Sequence, residues 1–533
     1  MPRNHDHNTP AASEGKRPAS HVYPMAVIEL GTSAIRMAIG ETDGISKVRM
    51  LEQLVRGVSI GKDTFTQREI KRDTLQQCIK VLKSYRRKLA EYQCTNPNHI
   101  RVVATSAVRE ASNRLSFLDR IYTSTGFTVE PIDDAEIARV TYLGIRPLLD
   151  KEPELRDTRS LLMEVGGGST DILMLRGRNI LHSHSYRLGT VRLQQLIRQY
   201  HAARDQALQI ITGQIDRTLE QLRDFIPQQG RIELLAIGGD VRFAARHLQE
   251  EEQDSNLQRI PLKKLERLAS DLSRLTTEEI MRTYHMELSQ AETVAPALLA
   301  YVRMARMLDT DHVLVTSFNL RDALLQEMLQ PSGWSTDLSE QIIRSADDLA
   351  RHFQVDLQYS YHVANLSRQL FRALDNHHDM DFRCETILYV GALLHECGLF
   401  VSTPSYHKHS NYLISNSEIF GLNSLDHTLA ALVARYHRRA FPKPSHTTYA
   451  QLDRDSRVML TQMAAILRIA IALAQSRTQR IRSVECVIEK GRLIIIASGR
   501  KGDLSMEQLE LRQNSTLFEE VFGMSVLLRE SRD

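Results

Sequence analysis

The sequence has few of the features that mark secreted, redox-active or membrane proteins. Its five cysteines (positions 78, 94, 384, 397 and 486) are scattered, and no two have CxxC spacing. Such a pattern favours reduced thiols and therefore a cytoplasmic protein. No apolar run approaches the length of a membrane span, and the N-terminus lacks the apolar core of a signal peptide. The sequence therefore predicts no association with a membrane.

The chain also lacks a large excess of charge of either sign. The formal net charge is +3, from 68 basic and 65 acidic residues. A nearly neutral chain gives no reason to expect a nucleic-acid partner, and none is predicted. Any argument for binding a polyanion must come from local clusters of basic residues. The hydrophobic share of 42% and the charged share of 25% are those of an ordinary globular protein.

The length and patterning of the chain predict several domains. A chain of 533 residues is too long for a single core and should hold three or four domains. Alternating strands and helices indicate α/β layers at first, and helical periodicity dominates later. The predicted parts are a disordered tail at 1–22, α/β lobes at 23–139 and 140–330, a linker, a helical domain at 338–478, and a small α+β domain at 479–533.

Two similar hairpins are the most informative local feature. The first reads Val-Ile-Glu29-Leu-Gly31-Thr32-Ser33, and the second reads Leu-Met-Glu164-Val-Gly166-Gly-Gly-Ser169-Thr. Each is a short apolar strand that places a carboxylate near its end and then turns through glycine into hydroxyl residues. Glycine turns leave backbone amides free to hold phosphate oxygens, and a nearby carboxylate can hold the divalent cation that accompanies phosphate. Two such loops facing each other would clamp a phosphate chain between two lobes.

Further motifs follow the first hairpin in a fixed order. The motifs are Glu29 to Arg36, Ala104 to Asn113, Asp134 to Arg139, Glu164 to Asp171, Arg187 to Arg192, Ile237 to Asp240, Ala392 to Phe400, Tyr406 to Ser410 and Arg435 to Arg439. Together this set resembles the exopolyphosphatase/guanosine pentaphosphate phosphohydrolase family, in its long form with a C-terminal HD-like domain. This family belongs to the actin-like ATPase and sugar-kinase superfamily, so the resemblance implies two actin-like lobes with the ligand between them.

The resemblance implies roles for individual residues. Glu136 matches the family's catalytic glutamate and would position or deprotonate the attacking water. Without the resemblance, Glu136 would be interpreted as a carboxylate that stabilises a helix N-terminus. Arg109 would hold the transferring phosphoryl group, although taken alone it would read as a surface arginine. Glu29 and Glu164 would hold Mg²⁺. The phosphate-binding residues would be Gly31, Thr32, Ser33, Gly167, Gly168, Ser169, Gly238 and Gly239, the last two of which could equally serve only a tight turn.

Four residues depart from the family pattern. The family usually has Asp at the positions of Glu29 and Glu164, and Asn and Ser at those of Ser33 and Ala34. Both carboxylates are therefore one methylene longer, and Mg²⁺ demands near-ideal octahedral geometry. The two changes are compatible with mutual compensation and equally with a weakened or lost activity.

The histidine-rich helical domain resembles an HD phosphohydrolase scaffold. His362 and His395 match the first histidines of that pattern and His437 could be a further ligand, but Glu396 replaces the expected Asp, and the late Asp is absent from the segment ending in Ala474. A site without its closing carboxylate is a poor metal site, so these histidines are expected to be structural or to face a polyanion.

Clusters of basic residues in this domain suggest a channel for a long polyanion. Exposed helices often carry Lys and Arg, so each cluster alone could be a solvated surface. The two best candidates lie in segments that match long family members. Their residues are His407, Lys408, His409, Arg435, His437, Arg438 and Arg439.

The sequence is therefore predicted to encode a cytoplasmic, Mg²⁺-dependent hydrolase that removes terminal orthophosphate from inorganic polyphosphate, as a homodimer like similar proteins. A guanosine pentaphosphate 5′-phosphohydrolase would share the same site, and no guanine-reading element separates the two. The loop departures also leave open a regulator that binds polyphosphate or a nucleotide without turnover.

Overall fold

The computed structural model describes residues 22–43, 48–156, 158–200, 204–227, 230–249, 257–329, 334–438, 440–499 and 503–530. The tail predicted at 1–22 lies outside the described residues, apart from Val22. The predicted linker lies partly outside them, and the helix that follows it begins at Thr336.

The first lobe is a five-stranded sheet flanked by helices. Strand β1 forms an antiparallel hairpin with β2, β2 pairs with β3, and β4 and β5 add on the other side in parallel, giving the order β3-β2-β1-β4-β5. The elements are β1 Tyr23–Leu30, β2 Ala34–Thr42, β3 Arg49–Gly57, α1 Ile60–Gln67, α2 Arg72–Glu91, β4 Ile100–Ala104, α3 Ser106–Arg109, α4 Arg114–Thr125, β5 Val129–Pro131 and α5 Asp134–Lys151.

The second lobe repeats this plan. Its sheet has the order β10-β11-β9-β6-β7-β8, in which β6, β7 and β8 are antiparallel and β6, β9 and β11 are parallel. The elements are α6 Pro153–Arg156, β6 Arg159–Val165, β7 Thr170–Arg176, β8 Asn179–Tyr186, α7 Thr190–Gln199, α8 Arg204–Leu222, β9 Ile232–Ile237, α9 Gly239–Leu248, β10 Leu257–Pro261, α10 Leu262–Arg274, α11 Thr277–Tyr284, α12 Leu288–Ala291, α13 Val294–Met307, β11 His312–Thr316 and α14 Leu320–Glu327.

Two helices cross the boundary predicted between the lobes. Helix α5 runs through residue 139, and its last turns enter the core beneath the second sheet through Tyr142 and Ile145. Helix α14 follows the last strand of the second lobe but packs on the first, where Leu320 and Leu324 join a core with Val27 of β1. The lobes therefore exchange helices, as in a two-lobed actin-like fold.

The helical domain packs directly on the second lobe. Its core is continuous with one face of the second sheet, since Leu338 and Ile342 belong to the same buried cluster as Leu162 and Leu173. The helices are α15 Thr336–His352, α16 Leu357–Ala373, α17 Phe382–Leu394, α18 Tyr406–Ser415, α19 Ser424–Arg435, α20 Thr447–Ala450 and α21 Arg454–Leu473.

Helix α21 is the one described helix that is long and apolar enough to cross a membrane, but 67% of its most apolar window is buried inside the fold. Its apolar character is explained by its place in the core of the helical domain, against α16 and α19.

The C-terminal domain is a small three-stranded sheet with two helices. Strand β13 lies between an antiparallel β12 and a parallel β14. The elements are β12 Ile481–Glu489, β13 Arg492–Gly499, α22 Ser505–Asn514, α23 Thr516–Phe522 and β14 Ser525–Glu530. The α+β character agrees with the prediction, although α22 was not predicted.

Candidate active site

The two glycine loops lie face to face, each at the end of an equivalent strand. A Cβ at Gly167 would stand 2.8 Å from Thr32 Cβ, and a Cβ at Gly168 would stand 2.2 Å from Ser106 Oγ and 2.9 Å from Phe65 Cζ. Only a residue without a side chain allows the lobes to approach this closely. The predicted phosphate loops are therefore brought together, in a closed arrangement.

Arg192 holds this closed arrangement. Its Nε donates to the carbonyl of Gly168 (2.5 Å), and its guanidinium carbon lies 3.8 Å from the centre of the Phe65 ring on the other lobe. Its Nη2 also donates to Glu110 across the lobes (2.5 Å). Burial alone would raise the pKa of Glu110, but hydrogen bonds from Arg192 and Arg187 hold that pKa below its usual value. Arg192 lies in one of the family-like motifs, yet sequence reasoning assigned it no role.

The predicted metal-side carboxylates differ in their surroundings. Glu29 accepts a hydrogen bond from Arg321 and lies 3.6 Å from Arg36. Burial would raise the pKa of Glu29, but these two arginines hold it below its usual value. Burial raises the pKa of Glu164 to about 7, with further contributions from the negative charges of Asp171 and Glu29. The arginines beside Glu29 thus outweigh its burial, whereas the charges of Arg242 and Arg321 do not offset the burial of Glu164.

Asp171 completes a carboxylate pair with Glu164. The two residues are direct partners across the antiparallel β6–β7 pair. Burial raises the pKa of Asp171 to about 6, although Ser185 and Ser169 donate hydrogen bonds that lower it. The pKa values of both carboxylates stay raised although Arg242 and Arg321 act on Glu164 and Arg109 acts on Asp171. Oxygen ligands of this kind suit a hard divalent ion. Sequence reasoning missed Asp171, although it ends the quoted Glu164 motif.

The predicted catalytic glutamate lies in a network of ion pairs. Glu136 lies 2.9 Å from Arg101 and 3.4 Å from Arg139, and both arginines also bind Glu327 at 2.7 and 2.5 Å. This network of two carboxylates and two arginines joins α5, β4 and α14. The catalytic role of Glu136 stays a prediction.

Arg109, by contrast, reaches the neighbourhood of the carboxylate pair. Its Nη1 donates to the carbonyl of Ile132 (2.7 Å), and its Nη2 donates to Asp134 Oδ1. The charges of Asp134 and Arg109 both influence the pKa of Asp171, which places the three groups in one electrostatic environment.

A cavity of about 420 Å³ opens beside Glu164 and Asp171. It lies between the start of α5, the strands β6 to β8, and the segment that joins α18 to α19. Apolar side chains such as Leu162, Ile172 and Phe420 make up much of its wall. Among the described residues that line it there are carboxylates and two histidines, but no lysine or arginine.

Gly238 and Gly239 form the sharp turn from β9 into α9. Gly238 has φ +132°, which favours glycine, and a Cβ on it would lie 3.2 Å from Tyr301 Oη. Tyr301 accepts from the amide of Val165 (3.0 Å) and donates to Ile237, so this turn is tied to the Glu164 strand. The neighbouring Asp240, whose pKa burial raises to about 6, places a carboxylate beside the predicted phosphate-binding amides.

Arg477 pairs with a carboxylate of the centre that was predicted to be HD-like. His395 Nδ1 donates to Ala392 O (2.6 Å), and its ring centre lies 5.1 Å from that of His437. Glu396, which follows His395, accepts from Arg477 Nη2 (2.5 Å), and the Arg477 guanidinium carbon lies 4.0 Å from the centre of the Tyr359 ring. Among the described residues, no group of three His, Cys, Asp or Glu side chains could hold a metal ion.

Several residues of the predicted basic cluster lie near one another. The pKa of His407 is lowered by burial and then by the positive charges of Arg438, Lys408 and Arg435, so the α18 and α19 segments do lie together. Lys408 and Arg438 are exposed, and His409 and Arg435 are partly exposed.

The two remaining predicted members of this cluster are His437 and Arg439. His437 is buried, donates to Ala434 O and contacts Tyr406 Oη at 3.1 Å, which favours the structural role that the sequence left open for it. Arg439 lies outside the described residues.

The fold and the facing loops define a two-lobed phosphate-handling protein of the actin-like class. The chain belongs to the Ppx/GppA phosphatase family: residues 38–331 match the model of that family, and residues 343–521 match the model of Ppx/GppA phosphatase domain III. The fold class predicted from the sequence is confirmed.

Curated relatives match along most of their length. A guanosine-5′-triphosphate,3′-diphosphate pyrophosphatase of Photobacterium profundum is 22% identical over 468 residues, which cover 87% of this chain and 88% of the relative. A protein of the same description from Aliivibrio fischeri strain MJ11 is 22% identical over 486 residues, 90% and 92% of the two chains. The crystal structure of an exopolyphosphatase from Cytophaga hutchinsonii has a TM-score of 0.51 and 24% identity, covering 57% of this chain and 97% of the other.

Proposed function

We propose that this protein is a phosphoanhydride hydrolase that releases terminal orthophosphate from inorganic polyphosphate, with Mg²⁺ as its cation. The observation that carries the proposal is the Glu164–Asp171 carboxylate pair beside two facing glycine loops. Phosphoryl transfer needs a clamp on the phosphates and positive charge for the developing negative charge. Phosphatases of this family are generally metal-dependent, which agrees with such a pair.

The carboxylates and the glycine loops would have different roles in this reaction. Glu164 and Asp171 would hold Mg²⁺, which when bound supplies positive charge to the phosphate oxygens. Glu29 would contribute through the Arg321 and Arg36 guanidinium groups that it holds in place. The loop residues Gly31 to Ser33 and Gly167 to Ser169 would offer amides and hydroxyls to the phosphates, once the lobes open from their closed arrangement.

The remaining polymer needs a path that is lined by cations. The exposed Lys408 and Arg438, with the partly exposed His409 and Arg435, form the best candidate, because a polyanion gains from releasing its counterions there. A homodimer would lengthen such a path. We place the protein in the cytoplasm, since its five cysteines are free thiols.

One observation favours a second candidate substrate, guanosine pentaphosphate. A phosphate chain continuing into the cavity beside Glu164 would meet carboxylates and no lysine or arginine among the described lining residues. An uncharged group with apolar faces and hydrogen-bonding edges, such as a nucleoside, suits this lining better. The curated relatives from Photobacterium profundum and Aliivibrio fischeri are named for a guanosine substrate.

Orthophosphate release tests the proposal. Long-chain polyphosphate and guanosine pentaphosphate are each incubated with the protein, with and without Mg²⁺, and with the variants Glu164→Gln and Asp171→Asn. A matched control is Glu340→Gln, an exposed carboxylate on α15. We expect Mg²⁺-dependent release that both site variants abolish and the control keeps. Binding of either substrate without release by the unaltered protein would instead identify a regulator.

A further inference from the structure

A second cavity lies between the second lobe and the helical domain. It has a volume of about 620 Å³ and is formed by strand β8, the end of α8 with the turn that follows it, helix α15, and the segment that joins α18 to α19. It shares the side chains of His184, Glu418 and Phe420 with the cavity beside Glu164 and Asp171. The reaction proposed above does not use this second cavity, whose size is that of a site for a small organic molecule.

Aromatic rings make up much of the wall of the second cavity. The rings of Tyr186, Phe225, Phe353 and Phe420 line it. Phe225 stacks on the ring of His182, with the ring centres 4.0 Å apart, and Phe225 is 50% exposed to solvent. An aromatic wall that is open to solvent offers the negatively polarised faces of its rings to a cation.

His182 contributes a ring nitrogen that lacks a partner. Its Nε2 is buried and meets no hydrogen-bond partner among the described residues. Burial and then the charge of His184 lower the pKa of His182, so its ring is neutral at pH 7, and Nε2 is an acceptor in the tautomer that carries its proton on Nδ1. A buried nitrogen without a partner is costly, and a ligand N–H that displaces the exposed Phe225 ring would pair with it.

The lining also carries a negative charge that is not paired. Among the described residues that line the second cavity there is no lysine or arginine. Glu418 lies 2.7 Å from His184, and its hydrogen bond and charge raise the pKa of His184, so this pair is neutral overall when His184 is protonated. Asp348 of α15 forms no hydrogen bond or ion pair with any residue that the structure describes. Burial and the charge of Asp347 raise the pKa of Asp348, because the Arg351 guanidinium is bound to Asp347 (2.8 Å).

We propose that the second cavity binds an organic ammonium ion, with one positive charge on an apolar body of about the size of an aromatic amine. The ammonium group brings N–H donors to Asp348 and His182 and a positive charge to the ring faces. The apolar body packs against the aromatic wall and Leu349. A phosphate group would meet no cation among the described lining residues, so this ligand differs in charge from the substrate. The inference does not depend on the proposed function, because no residue of the glycine loops lines this cavity.

Calorimetric titration of the full chain with 2-phenylethylamine, which is protonated at neutral pH, tests this proposal. The matched ligand is 2-phenylethanol, which has the same shape with a hydroxyl in place of the ammonium group. The variants are Asp348→Asn and Phe225→Ala, and the control is Glu340→Gln, an exposed carboxylate of the same helix outside the cavity. We expect Asp348→Asn to weaken binding of the amine by about 10-fold or more, and Phe225→Ala by about threefold or more. The alcohol should bind at least about 10-fold more weakly than the amine, and Glu340→Gln should bind the amine like the unaltered protein.

Several outcomes would overturn the assignment. The unaltered protein might fold and yet show no heat of binding, which would leave the cavity without this ligand. Equal binding of the amine and the alcohol would identify an apolar site that does not select charge. Equal weakening in Asp348→Asn and Glu340→Gln would show only attraction to surface carboxylates. Displacement of the amine by Mg²⁺ beyond that by NaCl of equal ionic strength would identify a metal site instead.

Two features keep this test separate from the proposed function. Thermal unfolding of each variant without ligand shows whether it folds, so that lost binding is not confused with misfolding. None of the titrations contains polyphosphate, and none measures release of orthophosphate. A failure here therefore leaves the proposed hydrolase activity untouched, and a failure of that activity leaves this site untouched.

Discussion

Arg321 donates a hydrogen bond from Nη1 to Oε2 of Glu29, and this contact joins the first turn of α14 to the end of β1. Both side chains are close to fully buried, at 10% and 12% exposed. Because α14 follows the last strand of the second lobe, the contact closes the chain back onto the first lobe. It also gives Glu29 an ion pair with arginine, whereas Glu164 forms no such pair with any residue that the structure describes.

The first prediction concerns this pair. Arg321→Met should leave the largely buried Glu29 with only the more distant Arg36 beside it and lower the free energy of unfolding by about 3 kcal/mol. Adding Glu29→Gln should recover part of that loss, since no charge then remains unpaired. Urea unfolding of both single variants and the double variant measures the coupling as a double-mutant cycle. Simple additivity of the two single effects would contradict a direct interaction.

The second prediction concerns the closed arrangement of the lobes. Gly168→Ala should force the loops apart, because its Cβ would stand 2.2 Å from Ser106 Oγ and 2.9 Å from Phe65 Cζ. We expect a lower melting temperature and a larger radius of gyration in solution scattering. Gly239→Ala is the matched control, since no atom lies within 4 Å of the place that its Cβ would occupy. Equal behaviour of the two variants would mean that the loops are not in contact in solution.

Much of the fold follows from local sequence patterns. The hairpins around Glu29 and Glu164, the strand ending at Ala104 and the strand before Gly238 are short apolar runs bounded by glycine or hydroxyl residues, and such runs predict strands well. The helices α10 to α13 were not predicted, although the buried Leu265, Leu268 and Leu272 of α10 have the spacing of one helix face. Their packing on the second sheet is not visible in any local pattern. The exchange of α5 and α14 between the lobes depends on tertiary packing, which local sequence patterns do not reveal.

The site was predictable to the extent that it lies in contiguous motifs. Glycine and hydroxyl residues of the two loops meet as expected from their repeat. The roles of Glu29 and Glu136 depend on Arg321 and Arg101, which are 292 and 35 residues away along the chain, so sequence spacing could not reveal them. The Asp171 partner of Glu164 could have been found, because the register of a tight hairpin places the two residues opposite each other.

The third prediction concerns pH and the carboxylate pair. The pKa of Glu164 rises from 4.5 to about 7 on folding, so the folded protein binds more protons between these values, and stability falls as the pH rises through that window. Glu164→Gln removes this cost and should be more stable than the unaltered protein at pH 8, by about 2 kcal/mol after allowance for partial exposure. The two should be equally stable near pH 4. Thermal unfolding across this range, without added metal, measures the difference.

Added Mg²⁺ provides the second half of that test. A cation held by Glu164 and Asp171 should raise the melting temperature of the unaltered protein more at pH 8 than at pH 5, because protons compete for the same oxygens. Glu164→Gln should lose most of this rise, whereas Glu340→Gln should keep it. An equal Mg²⁺ effect in all three proteins would place the cation elsewhere.

The last prediction concerns the basic cluster of the helical domain. Lys408→Ala and Arg438→Ala each remove an exposed positive charge and should weaken polyphosphate binding. Each should also lower the slope of log affinity against log salt by about 0.7, the value for one lost phosphate contact on a single-stranded polyanion. Lys83→Ala, an exposed lysine on α2 of the first lobe, is the control.

If all three variants bind with the same affinity and the same salt slope as the unaltered protein, the polymer does not run over α18 and α19. A guanosine substrate held in the cavity beside Glu164 would then gain support, because it needs no such path.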